Sequence, residues 1–184
     1  SNGSYVIDLG KEIVGSLKLT LNSPSQRQIT VSYGEELNED GTVRYRMRTG
    51  NVYRELWTLK AGSQELGDIG MKTFRYVQID NCPVSLSAGM VRGMAVRQDF
   101  SEKESSFHSS NGVLNDLYDM TKYTIQATNQ DLYVDSQSRE RGAYEGDVLL
   151  NMLSSYSFED DYSLARYSLD YVGNNPQWPA EYQL

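Results

Sequence analysis

Two folds in tandem are predicted: an antiparallel β-sandwich of the jelly-roll kind over residues 1–100, then an incomplete all-α segment over residues 111–184. Three observations predict them. Apolar residues recur at every second position up to Phe100. Beyond it the recurrence shifts to helical spacing. Between the two periods, Ser101 to Ser110 is polar and rich in serine and reads as a linker.

The β region can be followed strand by strand. Ile13, Gly15, Leu17, Leu19 and Leu21 share one face, with Val14, Ser16, Lys18, Thr20 and Asn22 opposite. Ile29, Val31 and Tyr33 repeat the alternation, as do Tyr53, Glu55, Trp57 and Leu59. Phe74 to Ile79 and Val91 to Val96 also read as strands. Turn residues separate them: Asn22-Ser23-Pro24, Asp40-Gly41, Ala61-Gly62 and Asn81-Cys82-Pro83. Short strands at this spacing, with no helical window among them, are what a jelly roll requires.

In the helical region, Ser109, Ser110 or Asn111 can cap a first helix carrying Leu114, Leu117, Tyr118, Thr121 and Ile125 on one face. A second helix is expected from about Asp147, with Val148, Leu149, Met152, Leu153 and Tyr156. A third is expected from Asp160 to about Val172, with Leu164, Tyr167, Leu169 and Tyr171, ending at Gly173-Asn174-Asn175-Pro176. Three helices make an incomplete helical domain. Their apolar faces call for further chain or a partner, so the 184 residues are expected to be a piece of a larger protein whose other helices are their partner. Ser1-Asn2-Gly3 has the look of a cloning scar, and the compartment is not readable.

Composition excludes several function classes. With 17 basic and 25 acidic residues and a net charge of -8, the chain is a poor match for nucleic acid or an anionic membrane, both of which need clustered cations. No apolar run approaches the roughly 18 residues of a membrane span. Neutral sugars remain open, and 14 Tyr with 2 Trp fit them as well as they fit a core. The lone Cys82 can form no intrachain disulfide and reads as a small buried residue beside Pro83. The single histidine, His108, lies in the polar linker, and no Gly-x-Ser-x-Gly elbow accompanies it. Glu36-x-Asn38-x-Asp40-Gly41 imitates a calcium loop, but Met47 stands where a bidentate Glu is needed, so it reads as a turn. No metal and no cofactor are called for.

What remains is a group of acids. Asp135, Glu140, Glu145 and Asp147 fall within thirteen residues, together with Arg139 and Arg141. Gly142 and Gly146 argue against a regular helix there. A loop ending at a helix N-terminus would let several carboxylates converge on one pocket. Cleavage of a glycosidic bond needs such a set: one acid protonates the leaving oxygen, another activates water or attacks carbon, and others hold hydroxyls. The same residues are equally consistent with surface acids paired to Arg139 and Arg141.

The run Asp135-Ser-Gln-Ser-Arg-Glu-Arg-Gly-Ala-Tyr-Glu-Gly-Asp147 resembles the signature of bacterial α-L-rhamnosidases, glycoside hydrolase family 78, Asp-Cys-Pro-x-Arg-Glu-Arg-x-Gly-Trp-x-Gly-Asp, without a gap. Ser110 to Tyr118 is similar to that family's entry into its catalytic helical barrel. Tyr33-Gly34-Glu35-Glu36-Leu37 with Asp40-Gly41, Tyr53 to Leu59 and Phe74 to Val77 are similar to its β-sandwich. The resemblance implies that the helices open an (α/α)6 barrel in an inverting enzyme that removes terminal α-L-rhamnose from rhamnose-containing glycans. Carried over position by position, Glu140 is the general acid, Asp135 and Asp147 hydrogen-bond the sugar, and Arg139 and Arg141 tune the loop. Tyr144 stands in for the motif's Trp, and Trp178 is similar in placement to a pocket aromatic. Ser136-Gln137 replaces Cys-Pro, which leaves room for another α-linked sugar. The family's general base is a Glu further along the barrel, and no residue here, Glu181 included, matches it. The chain alone is therefore expected to be inactive. Two other readings are a non-catalytic carbohydrate-binding module with its site on the sandwich, and a structural interaction domain without sugar affinity.

Overall fold

A computed structural model describes residues 3–101 and 105–174. It divides into two compact units, with the boundary between Val96 and Arg97.

The first unit is one curled antiparallel sheet of six strands: β1 (Tyr5–Ser23), β2 (Arg27–Gly34), β3 (Arg54–Leu59), β4 (Gly62–Gly67), β5 (Lys72–Asp80) and β6 (Val91–Ala95). Hydrogen bonding runs β3-β2-β5-β1-β4, and β6 also pairs with β1. The 19-residue β1 organises the rest. Gly15 pairs with both Lys72 of β5 and Ala95 of β6, while Lys18 pairs with Gly67 of β4 and Arg92 of β6. A strand residue has only two edges, so β4 and β5 follow one another along the same edge of β1 and β6 takes the other. Gly15 is needed where β6 crosses, because a Cβ there would collide with the Met94 carbonyl.

The expected alternation is present. Leu17, Leu19, Ile29, Val31, Tyr33, Leu59, Phe74, Val77 and Ile79 are fully buried in one cluster, and the Tyr33 and Phe74 rings meet edge to face at 5.0 Å. Asn81 (φ 62°), Gly41 (φ 79°) and Gly62 (φ 96°) supply left-handed backbone at three of the expected turns. Strand β4 escapes sequence reading because Gly62-Ser-Gln-Glu-Leu-Gly67 offers the core only Leu66. Cys82 is buried and His108 exposed.

One polar cluster sits among these strands. Lys72 pairs with Glu55 of β3 at 2.5 Å and with Asp68, and its ammonium lies 4.9 Å from the Tyr33 ring centroid. Glu55 also accepts hydrogen bonds from the Tyr33 hydroxyl (3.1 Å) and the Trp57 indole (2.9 Å).

The second unit contains α1 (Gly112–Thr128), α2 (Glu145–Ser155) and α3 (Ser163–Gly173). Asn111 caps α1 by accepting from the Val113 amide. Phe100 is buried with Ile125 and Phe158 of this unit. The apolar faces are less well covered than the alternation of the sheet. Leu114, Leu117, Leu149 and Leu153 are exposed, whereas Ile125 and Val148 are buried. On α3, the buried set is Leu164, Ala165, Ser168 and Val172 at helical spacing, while Tyr167, Leu169 and Tyr171 are exposed. Those three share apolar character with Leu164 but not its buried face, which follows the 3.6-residue period.

Candidate active site

The acid-rich segment is a loop between α1 and α2, and each of the three helices holds it. The Gln137 side-chain amide donates to the Thr128 carbonyl at the end of α1 (2.6 Å). Asn151 of α2 donates to the Val134 carbonyl (3.2 Å), and the Tyr133 amide donates to the Ser168 hydroxyl of α3 (3.1 Å). Tyr133 is itself buried, and burial pushes its phenol up. The loop is thus a tethered element without regular secondary structure, which is where side chains from distant positions can be made to converge.

Asp135 closes the loop on itself. Its side chain is only 7% exposed, and one oxygen accepts from the Gly142 amide at 2.8 Å while the other accepts from Arg139 at 3.1 Å. The Asp135 amide returns a bond to the Gly142 carbonyl at 2.9 Å. Gln137 to Glu140 form the turn between these points, and Arg141 adopts a left-handed φ of 54° while donating to the Gln137 carbonyl. An L side chain in that conformation carries strain that the surrounding bonds must hold. Gly142 lets the Tyr144 ring lie close over the backbone: a Cβ there would stand 2.6 Å from the ring, which would have to turn aside.

Tyr144 lies over Gly142 and precedes α2, and its hydroxyl donates to the Glu140 carboxylate. This bond, the charge of Glu140 and the charges of Asp135 and Asp147 push the phenol up. Glu140 itself is exposed and Asp147 is half-buried. Asp147 and Glu145 occupy the first turn of α2, where carboxylates are favoured by the helix dipole. The Ser136 hydroxyl is buried without a hydrogen-bond partner among the described residues.

Five of the six expected site residues are therefore in one loop and its helix start: Asp135, Arg139, Glu140, Tyr144 and Asp147. Trp178 lies outside the described residues. The arrangement differs from surface ion pairing in one respect. Arg139 does pair with Asp135, whereas Glu140 bears on the Tyr144 phenol. A separate hollow of about 470 Å³ opens at the start of α3, lined by Asp161, Tyr162, Ser163, Arg166, Tyr167 and Asp170. No sequence motif marks these residues, and Tyr167 is among those expected on the apolar face of the third helix. Among the described residues, no group of three or more His, Cys, Asp or Glu side chains is placed to hold a metal ion. Among the described residues, no helix is long and apolar enough to cross a membrane.

Two family models match in succession: the bacterial α-L-rhamnosidase concanavalin-like domain over residues 1–97 and the bacterial α-L-rhamnosidase six-hairpin glycosidase domain over residues 102–180. An α-L-rhamnosidase of Streptomyces avermitilis is 24% identical over 172 residues, covering 91% of this chain but 17% of the relative. The α-L-rhamnosidase structure from Dictyoglumus thermophilum superposes with a TM-score of 0.85 at 23% identity, over 94% of this chain and 20% of that one. The Streptomyces avermitilis enzyme complexed with L-rhamnose gives a TM-score of 0.71 at 25% identity, over 80% of this chain and 15% of that one. The chain thus spans about a sixth of the length of its curated relative.

Proposed function

Since this chain belongs to the bacterial α-L-rhamnosidase family, we propose that it carries the acid half of an inverting glycosidase site that releases terminal α-L-rhamnose. Glu140 is the general acid, protonating the glycosidic oxygen as the bond breaks. Asp135 and Asp147 accept hydrogen bonds from sugar hydroxyls, and Arg139 holds Asp135 in position. Tyr144 stacks on the apolar face of the sugar while its hydroxyl orients Glu140, and Trp178 is proposed as a second flanking aromatic. What supports this reading is the closed loop from Asp135 to Gly142, tied by both the Asp135 side chain and its amide, which carries Glu140 and sets it beside Tyr144 at the start of α2.

An inverting mechanism also needs a base on the opposite face of the sugar, roughly 6.5–9.5 Å from the acid. No residue of this chain is assigned to it. We therefore expect the chain alone to release no 4-nitrophenol from 4-nitrophenyl α-L-rhamnoside. In a full-length parent, Glu140→Gln should lower kcat by about 10²–10⁴-fold while rhamnose binding by calorimetry is retained. Unchanged hydrolysis by that variant would remove Glu140 from the mechanism.

A further inference from the structure

The β unit carries a concentration of positive charge that the glycosidase reading does not use. Between Gly41 and Arg54 there are four arginines and no acidic residue, in a chain whose net charge is -8. Arg44 is neutralised by Glu36 at 3.0 Å. Arg46, Arg48 and Arg54 are exposed and form no ion pair among the described residues.

These arginines are held in place. Residues 43–54 fold back on themselves through the Arg46–Val52 bridge, the Met47 amide to Asn51 carbonyl bond (2.9 Å) and the Tyr53 amide to Tyr45 carbonyl bond (2.9 Å). The base is anchored in the sheet: Val43 is buried and its amide donates to the Gln78 side chain at 2.9 Å. At the centre is Tyr45. The guanidinium carbons of Arg54 and Arg46 stand 4.9 and 5.6 Å from its ring centroid, and Arg54 donates to its hydroxyl at 3.0 Å. Hydrogen bonds from both arginines hold the phenol below its ordinary value. Two cations are thus gathered on one neutral ring with no carboxylate between them. Like charges so placed repel, and a bound anion would relieve the repulsion.

We propose that the Arg46–Tyr45–Arg54 face of this hairpin is an anion subsite that holds the carboxylate of a uronic-acid-containing glycan. The guanidinium fork matches a carboxylate in a bidentate geometry, which a single exposed lysine would not provide. The net negative charge of the chain opposes a long polyanion such as nucleic acid, whereas a short glycan with spaced carboxylates meets only the local positive field. The choice of a glycan as carrier rests on the glycosidase reading; the anion subsite itself rests on the arginines.

The test is calorimetric titration of the 184-residue chain with a short oligogalacturonate, beside a neutral maltooligosaccharide of equal length, a short oligoglutamate and a single-stranded oligonucleotide. Saturable binding of the oligogalacturonate alone is expected, weakened about tenfold or more by Arg46→Gln with Arg54→Gln, the loss of charge-assisted hydrogen bonds. Arg46→Lys should fall between, because it keeps charge and loses the fork. Circular dichroism of each variant reports whether the sheet is intact, and these exposed positions should leave it so. Equal binding of the neutral sugar, no binding at all, or affinity untouched by the double variant overturns the subsite. Binding of oligoglutamate or the oligonucleotide in preference to the uronate leaves an anion patch but overturns the glycan assignment, independently of whether Glu140 is the acid.

Discussion

The two units bury their apolar side chains very differently. In the β unit, nine large side chains from four strands are fully excluded from solvent and pack into one cluster. In the helical unit the buried residues fall into two small clusters, while Leu150 of α2 is 66% exposed and Met120 of α1 is 61% exposed. A curled sheet closes a core with its own strands, because alternate residues all point to one side. Three helices have apolar stripes wider than they can cover among themselves. The consequence is that sheet stability is intrinsic to the chain, while the helices contribute a geometry at the acid loop more than a core.

Substitutions can break or sharpen that contrast, and they rank by expected effect. Phe74→Ala should be the most damaging, about 3–5 kcal/mol, since it removes a fully buried ring and its contact with Tyr33. Urea unfolding followed by circular dichroism measures the loss. Hydrogen exchange should localise it to the β unit, and an equal loss of protection in α2 and α3 would show instead that the helices unfold with the sheet.

Lys72→Met comes next, at about 3 kcal/mol, because it leaves Glu55 and Asp68 without their cation. Its effect should depend on pH. Burial raises the Asp68 carboxyl, but hydrogen bonds from Lys72 and the Gly70 amide and the Lys72 charge outweigh it and hold the group below 3.8. A depressed carboxylate contributes stability above its unfolded value and loses it as pH falls through the lower folded value. The wild type should therefore lose urea resistance as pH falls below about 4, and Lys72→Met should lose much less over the same range. Parallel pH profiles for the two proteins would show that the pair contributes nothing.

Asp135→Ala should cost about 1–3 kcal/mol, the value of hydrogen bonds to a shielded carboxylate. Its distinguishing sign is local: faster exchange of the Gly142 amide, with β-unit protection unchanged. The smallest effect is expected from Leu150→Ala, within about 0.5 kcal/mol, as the side chain is largely in solvent. A loss as large as that of Phe74→Ala would mean that the helices cover each other in solution.

Legibility in the sequence followed the same division. The strands carrying Leu17, Ile29, Trp57 and Phe74 were readable because a half-buried strand writes a period of two into every residue. Strand β4 was not, since its inward positions are mostly polar or glycine. Helix α2 begins at Glu145, two residues before the expected Asp147, a difference within the ordinary fraying of helix ends. For α3, tyrosines blurred the face, because their rings satisfy an apolar count while remaining at the surface. In the acid loop, the residue types and their clustering were plain, but their partners were not. Nothing local distinguishes a Glu140 bonded to Tyr144 from one paired with Arg141.

By itself, the order of amino acids determined the two periodicities, the turns at Gly41, Gly62 and Asn81, and the clustering of acids between two helices. All of these act over a few residues, where backbone sterics and side-chain spacing leave few choices. Tertiary structure alone decided that β4 and β5 share an edge of β1, that Lys72 reaches Glu55, and that Tyr144 folds over Gly142 to meet Glu140. Those contacts join segments whose encounter depends on the whole chain's burial and hydrogen bonding, which no local pattern encodes.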